Sequence, residues 1–224
     1  MTGRFGPPEL VIFDCDGVLV DSEPIANSTL AAAITSLGLP MTVAQTRAAF
    51  VGLSMRQIME NVSELAGRQI PDAWRQTLQE ETYAAFRRSL RAVPGVREVL
   101  AHIQAANIAL CVASSGSPDK MELTLGLTGL RAYFGDNLFS STMVARGKPH
   151  PDLFLHAAAQ MGVSVDRAVV IEDSVPGVMG ARAAGMQVFA YAGDPESNVT
   201  KLRAEGGEIF TGMADLPRLL ALKP

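Results

Sequence analysis

The chain has 224 residues and a mass of 23.8 kDa, so it can bury roughly 70% of the surface that its unfolded form exposes. Hydrophobic residues make up 48% and charged residues 19%, and the net charge is −4 with scattered basic residues, so nucleic acid is not expected as a partner. No apolar stretch approaches a membrane span, no signal-peptide core is visible, and two cysteines (Cys15 and Cys111) fit a reducing compartment, so we expect a cytoplasmic protein with no membrane partner.

The first predicted element is the apolar run Leu10–Phe13, which is too short for a helix and has the pattern of a buried strand. It leads into the acidic residues Asp14 and Asp16, whose side chains point the same way on an extended backbone. Open α/β sheets place their ligands at this carboxyl edge. Two converging carboxylates repel each other unless a cation lies between them, and Mg²⁺ prefers such oxygen ligands. An acidic loop after a strand is the alternative.

The next part of the chain, residues 24–90, carries only helical signals. Two capping-box patterns, Thr42 with Gln45 and Ser54 with Gln57, predict the starts of two helices. Further apolar residues at helical spacing bring the total to about four amphipathic helices, enough for a small bundle. The stripe along the second capped helix is expected in the core: Met55, Ile58, Met59, Val62 and Leu65.

After residue 93 the pattern changes to strand-like runs that alternate with helix-like runs. This alternation predicts a doubly wound parallel sheet with right-handed crossovers. Pro118 and Pro151 are each predicted to occupy the first position of a helix. The predicted later strands are residues 108–113, 168–171 and 187–190. The predicted fold is α/β, with a sheet domain formed by residues 1–22 and 90–224 and a helical insert at 23–89.

Three later segments are expected to meet the end of the first strand. Ser114 and Ser115 follow a strand and precede a helix, where hydroxyls and free N–H groups can bind an anion. Lys148 is one of only four lysines and lies between Gly and Pro. Glu172 and Asp173 end a second strand in acids. Each segment alone also fits an ordinary loop. These three segments and the acidic segment at Asp14 and Asp16, in this order in one chain, are much harder to attribute to chance.

With these motifs the chain resembles the haloacid dehalogenase-like hydrolase superfamily and, within it, the β-phosphoglucomutase-like phosphatases. The resemblance covers nearly the whole chain and rests on the strings DCDGVLVDSE at 14–23, ASSGS at 113–117, GKPHPD at 147–152 and EDSVPG at 172–177. It implies a Rossmann-like core, and the helical insert matches the family's mobile cap. The segments near 22–24 and 90–93 are then expected to be hinges that let the cap close.

The resemblance implies phosphoryl transfer at the first motif. Asp14 is expected to be the nucleophile that forms an aspartyl-phosphate, and Asp16 the general acid and base. Ser114, the backbone around Ser115 and Lys148 are expected to bind the phosphoryl group and neutralise its charge.

The resemblance also implies a Mg²⁺ site. Its expected ligands are the Asp14 carboxylate, the backbone carbonyl of Asp16, Asp173 and Glu172, the last either directly or through water. The metal cancels the repulsion between the nucleophile and the phosphate dianion.

Particular residues separate the reactions known in the superfamily. Asp16 argues against a metal-free dehalogenase, which lacks the second aspartate. The first lysine is Lys120, so no cap lysine is present for a phosphonoacetaldehyde hydrolase. Ala26 and Met55 stand where a sugar-phosphate mutase has a cap histidine and arginine, although Arg56 could serve by a shift of one residue. A phosphatase is favoured, and a β-phosphoglucomutase-type mutase is the alternative.

The cap is expected to select the substrate, because core residues contact only the phosphate. The segment 52–56 is the candidate for leaving-group contacts, with Arg56 suited to a carboxylate or second phosphate. The expected partner is a small phosphorylated sugar or sugar acid, and the expected state is a monomer. Two readings from other classes are a response-regulator receiver, which is much shorter than this chain, and a non-catalytic binding protein, although no expected catalytic position is substituted.

Overall fold

The computed structural model describes residues 7–51 and 53–222. The strands are β1 (Leu10–Phe13), β2 (Ala109–Ser114), β3 (Leu138–Ser140), β4 (Ala168–Glu172), β5 (Gln187–Tyr191) and β6 (Glu208–Phe210). The helices are α1 (Glu23–Ser36), α2 (Val43–Phe50), α3 (Met55–Ala66), α4 (Asp72–Ser89), α5 (Val96–Ala105), α6 (Pro118–Leu127), α7 (Asp152–Gln160), α8 (Val175–Ala183), α9 (Val199–Ala204) and α10 (Leu216–Leu219). No described helix is both long and apolar enough to span a membrane.

The six strands form one parallel sheet in the order β3-β2-β1-β4-β5-β6. Strand β1 lies between β2 and β4, so the strand order reverses beside it, and ligands of open α/β sheets bind at such a switch point. All four residues of β1 are buried, as expected for a central strand with both faces covered. The predicted doubly wound sheet is therefore confirmed.

Strands β3 and β6 were not expected from the sequence. Each has only three residues and lies at an edge of the sheet, so neither carries a long apolar run. One helix start also differs from the prediction, because Pro151 is the residue before α7 and not its first residue. Pro118 does occupy the first position of α6.

Alternating residues of the central strands pack on the two faces of the sheet. Leu10 and Ile12 of β1 share a buried cluster with residues of α7 and α8, including Phe154 and Val178. Cys111 belongs to this cluster. Cys15 is also buried but lies beyond β1, with its Sγ 3.7 Å from Thr124 Oγ1, and both thiols are free.

The chain divides into two compact units. One joins the segment that ends at Asp21 to the segment that begins at Arg91, and the other is Ser22–Leu90. The second unit contains α1–α4 around its own apolar cluster, and both predicted capping boxes are present in it. The predicted core stripe is only partly correct. Ile58 and Val62 are buried, whereas Met55 and Leu65 are 40% and 54% exposed because they lie in the end turns of α3.

Candidate active site

The end of β1 places the first aspartates at the carboxyl edge of the sheet. The Asp14 N–H donates to the Ile171 carbonyl (2.9 Å), so the pairing with β4 continues for one residue beyond the strand. The chain then turns back, with the Gly17 N–H donating to the Val20 carbonyl (2.9 Å). Gly17 has a φ of +77°, and a Cβ there would lie 2.0 Å from Asp173 Oδ2. The turn therefore requires glycine, both for its backbone and for its contact with Asp173.

Asp14, Lys148 and Glu172 form one buried charge network. The Lys148 ammonium donates to Asp14 Oδ1 and to Glu172 Oε1, the second contact being 2.6 Å. The other Glu172 oxygen accepts hydrogen bonds from the Asp173 N–H (2.9 Å), the Ser174 N–H (2.8 Å) and the Ser174 hydroxyl (2.9 Å). The side chains of Lys148 and Glu172 are only 4% and 0% exposed. Two buried carboxylates thus share one ammonium, which leaves one negative charge without compensation inside the network.

The pKa values of Asp14 and Lys148 reflect burial first and the charges of the network second. Burial raises the pKa of Asp14 to about 7, and the nearby charges of Glu172 and Asp16 act in the same direction against the opposing charge of Lys148. Burial lowers the pKa of the Lys148 ammonium, but Asp14 and Glu172 more than offset this, and the pKa lies above its ordinary value. Lys148 therefore stays charged, and Asp14 holds a proton to a higher pH than an ordinary aspartate.

Glu172 has a donor at each carboxylate oxygen. Its contacts favour a role in holding Lys148 against Asp14, and a direct bond from Glu172 to a metal stays a prediction.

Asp16 lies in a second, more exposed pair. The Lys120 ammonium donates to Asp16 Oδ2 (2.8 Å), and the two side chains are 27% and 25% exposed. Burial lowers the pKa of Lys120, but the charge and hydrogen bond of Asp16 outweigh it, so the pKa is raised overall. Sequence reasoning assigned no role to Lys120. The signal available was its place three residues after the cap residue Ser117, at the start of the helix that follows Ser114.

The segment 114–117 at the end of β2, called the hydroxyl loop below, is held in place by the last residue of β3 and the residue after it. The buried Ser114 hydroxyl accepts a hydrogen bond from the Gly116 N–H (3.0 Å), and Ser115 is exposed. The Ser140 hydroxyl donates to the Gly116 carbonyl (2.7 Å), and the Ser141 hydroxyl donates to the Ser115 carbonyl (3.1 Å). Ser140 and Ser141 were missed because β3, which ends at Ser140, is so short.

The oxygen donors at this edge fit Mg²⁺. Within residues 7–51 and 53–222 no group of three or more His, Cys, Asp or Glu side chains is arranged to hold a metal. Magnesium, however, is commonly held by one or two carboxylates together with waters and phosphate oxygens. Asp14 and Asp173 follow neighbouring strands, and the Asp173 carboxylate lies against the turn after Asp14. A divalent cation here would compensate the excess negative charge of the network.

The predicted substrate residue Arg56 lies in the helical unit. Its side chain is 87% exposed in the first turn of α3, and its Nε donates to Glu60 Oε1 (2.9 Å). Gly52, in the same predicted segment, lies outside the described residues. The role of Arg56 stays a prediction.

Comparisons with known proteins assign the chain to a family. A model of the haloacid dehalogenase-like hydrolases matches residues 8–185. The 6-phosphogluconate phosphatase of Escherichia coli K12 is 33% identical over 216 residues, which cover 94% of each chain. A phosphorylated carbohydrates phosphatase of Thermotoga maritima is 32% identical over 180 residues, covering 80% of this chain and 82% of that one. A solved haloacid dehalogenase-like protein of unknown function from Agrobacterium tumefaciens C58 is 35% identical, with a TM-score of 0.83 and coverage of 95% and 97%. The chain belongs to the haloacid dehalogenase-like hydrolases, as its four motifs predicted.

Proposed function

We propose that this enzyme, a phosphate monoester hydrolase, releases phosphate from a small sugar phosphate or sugar-acid phosphate through an aspartyl-phosphate on Asp14, with Mg²⁺ as cofactor. The observation that carries the proposal is the buried Asp14 carboxylate at the switch point of the sheet, with Lys148 held against it by Glu172. The family membership and the two phosphatase relatives support the reaction class.

Two aspartates divide the chemistry between them. The Asp14 carboxylate attacks phosphorus, the bond from phosphorus to the leaving oxygen breaks, and Asp16 gives that oxygen a proton. Asp16 then takes a proton from a water that attacks the aspartyl-phosphate. The bond from phosphorus to Asp14 breaks, phosphate leaves, and both aspartates return to their starting states.

The remaining core residues stabilise charge on the transferring group. Lys148 supplies a buried positive charge beside Asp14, and Ser114 supplies a hydroxyl at the end of the adjacent strand. Mg²⁺ held by Asp14, the backbone carbonyl of Asp16 and Asp173 would offset the repulsion between the nucleophile and the phosphate. We assign Glu172 to the positioning of Lys148, because each of its oxygens already accepts a hydrogen bond.

The substrate class rests on the relatives. One is a phosphatase of 6-phosphogluconate and another of phosphorylated carbohydrates, so both act on polyhydroxylated phosphate esters. The arginines of the helical unit are the candidates for a contact with a sugar-acid carboxylate, Arg56 among them.

The proposal is tested by phosphate release from a panel of phosphorylated metabolites that includes 6-phosphogluconate, hexose phosphates and hexitol phosphates. We expect release that needs Mg²⁺ and is abolished by a chelator. A parallel reaction with β-glucose 1-phosphate and a bisphosphate primer tests the mutase alternative. Glucose 6-phosphate as the product, in place of free phosphate, would overturn the proposal, and so would the absence of turnover on every ester.

A further inference from the structure

Lys120 is a second lysine at the site, separate from the network around Lys148. Its ammonium lies 2.8 Å from Asp16 Oδ2, although 104 residues separate the two in sequence. Ion pairs between freely moving surface side chains contribute little, but this lysine is anchored. Its backbone N–H donates to the Ser117 hydroxyl (3.3 Å), which fixes the residue in the first turn of α6, and its side chain lies along Gly116.

Gly116 marks the point where three functional groups converge. A Cβ built on Gly116 would lie 3.3 Å from Lys120 Cδ, 3.3 Å from Ser114 Oγ and 3.8 Å from Asp16 Oδ2. The Asp16–Lys120 pair is therefore adjacent to the hydroxyl loop that we assign to phosphate binding. The absence of a side chain at 116 allows this close approach.

The two lysines serve different aspartates. Lys148 is engaged by Asp14 and Glu172, whereas Lys120 contacts Asp16. Asp14 and Asp16 thus each contact an ammonium, from different parts of the chain. An ion pair with an anchored lysine also restricts the rotamer of Asp16.

We propose that Lys120 is a positioning residue for Asp16, holding its carboxyl group where it can protonate the leaving oxygen. The inference rests on the proposed function, because it presumes that Asp16 is the general acid. Proton transfer by a positioned acid contributes typically about 10²–10⁴-fold to rate, and it matters most when the leaving group is a poor one. Misplacing Asp16 therefore slows the release of basic leaving groups selectively.

The test compares phenyl phosphate with p-nitrophenyl phosphate, two esters that differ in the basicity of the leaving group. The parameter is kcat/KM, which reports transfer to Asp14 and not the later step with water. For Lys120→Met we expect a loss of about 10–100-fold on phenyl phosphate and under about threefold on p-nitrophenyl phosphate. Lys120→Arg should recover part of the loss, and Lys201→Met, at an exposed lysine of α9, should change neither ester.

Two further variants separate positioning from other roles. Asp16→Asn should show the same selectivity as Lys120→Met, and adding Lys120→Met to Asp16→Asn should cost no more, because the two act as a unit. An equal loss on both esters would mean that Lys120 binds the phosphate itself, and an unchanged kcat/KM would mean that the ion pair only supports the fold. Either result overturns the inference. Lys120→Gln provides a second uncharged variant if Lys120→Met does not fold.

Failure of the inference is distinguishable from failure of the proposed function. In the first case the wild-type enzyme still releases phosphate and depends on Asp14. In the second case the wild-type enzyme turns over neither ester, or Asp14→Asn retains activity.

Discussion

Asp14 and Asp16 are two residues apart, yet their surroundings differ. Asp14 is buried with a lysine that a second buried carboxylate holds in place, and Asp16 pairs with a lysine at the partly exposed margin of the same site. The difference matches the proposed division of work. A nucleophile benefits from a fixed, dry position, whereas an acid and base must exchange protons with water and with the leaving group.

The largest expected effect is on activity at the buried aspartate. Asp14→Asn preserves shape but removes the nucleophile, so kcat should fall by more than about 10³-fold. Phosphate release with the best ester of the panel measures it. Asp166→Asn, at an exposed acid before β4 and thus at the opposite edge of the sheet, is the matched control and should keep full activity. Substantial turnover by Asp14→Asn would show that Asp14 is not the nucleophile, and the proposed division of roles between Asp14 and Asp16 would fail.

The second prediction compares the stability of the two ion pairs. Lys148→Met leaves the buried carboxylates of Asp14 and Glu172 without their shared cation, and breaking a buried pair costs about 3–5 kcal/mol in the free energy of unfolding. Lys120→Met removes a partly exposed pair, which should cost under about 1 kcal/mol. Urea denaturation of both variants provides the measurement. Equal losses would show that the two pairs are held in similar environments after all.

Gly177 lies beside Glu172, and Gly116 lies beside Lys120. A methyl group added at each glycine tests how easily the two ion pairs can shift. A Cβ at Gly177, in the first turn of α8, would lie 1.7 Å from Glu172 Oε1, so Gly177→Ala must displace that carboxylate. We expect Gly177→Ala to destabilise the protein by about 1–3 kcal/mol and to lower activity through Lys148. Gly116→Ala meets Lys120 Cδ at 3.3 Å, a flexible stem that can shift, so its effect on stability should be smaller. Thermal unfolding ranks the two, and the reverse order would contradict the expectation.

The sequence predicted the residues that follow strands better than it predicted their partners. Asp14, Ser114 and Glu172 each stand at or just after the end of a strand, so the parallel topology alone brings them to one edge. Lys120 could not be assigned in this way, because its contact with Asp16 depends on where α6 starts and on the missing side chain at Gly116.

The exposed ends of α3 show a second limit of prediction from the sequence. Helical periodicity put Met55 and Leu65 on the same face as Ile58 and Val62, but periodicity says nothing about how far a neighbouring helix extends. Only Ile58 and Val62, in the middle of the apolar stripe of α3, are buried. The short strand β3 ends at Ser140, which holds the hydroxyl loop, and it carries too few residues for any period to be visible.

The buried charge of the network also predicts a pH dependence of stability at Asp14. Because burial raises the pKa of Asp14 from 3.8 to about 7, the folded chain binds a proton there that the unfolded chain releases at lower pH. The stability contributed by this group is complete below about pH 4 and is lost as the pH rises through about 7, at no more than about 1.4 kcal/mol per pH unit. The measurement is the free energy of unfolding of wild type minus that of Asp14→Asn between about pH 4 and about pH 8, which spans the loss of this proton in both states. Subtraction cancels the contribution of the three histidines, which both proteins share.

We expect the difference in the free energy of unfolding to fall with rising pH in a Mg²⁺-free buffer and to flatten with added Mg²⁺, because a cation favours the ionised carboxylate. A difference that rises with pH would mean that Lys148 stabilises the charge of Asp14 more than burial opposes it, and that the buried network carries no excess negative charge.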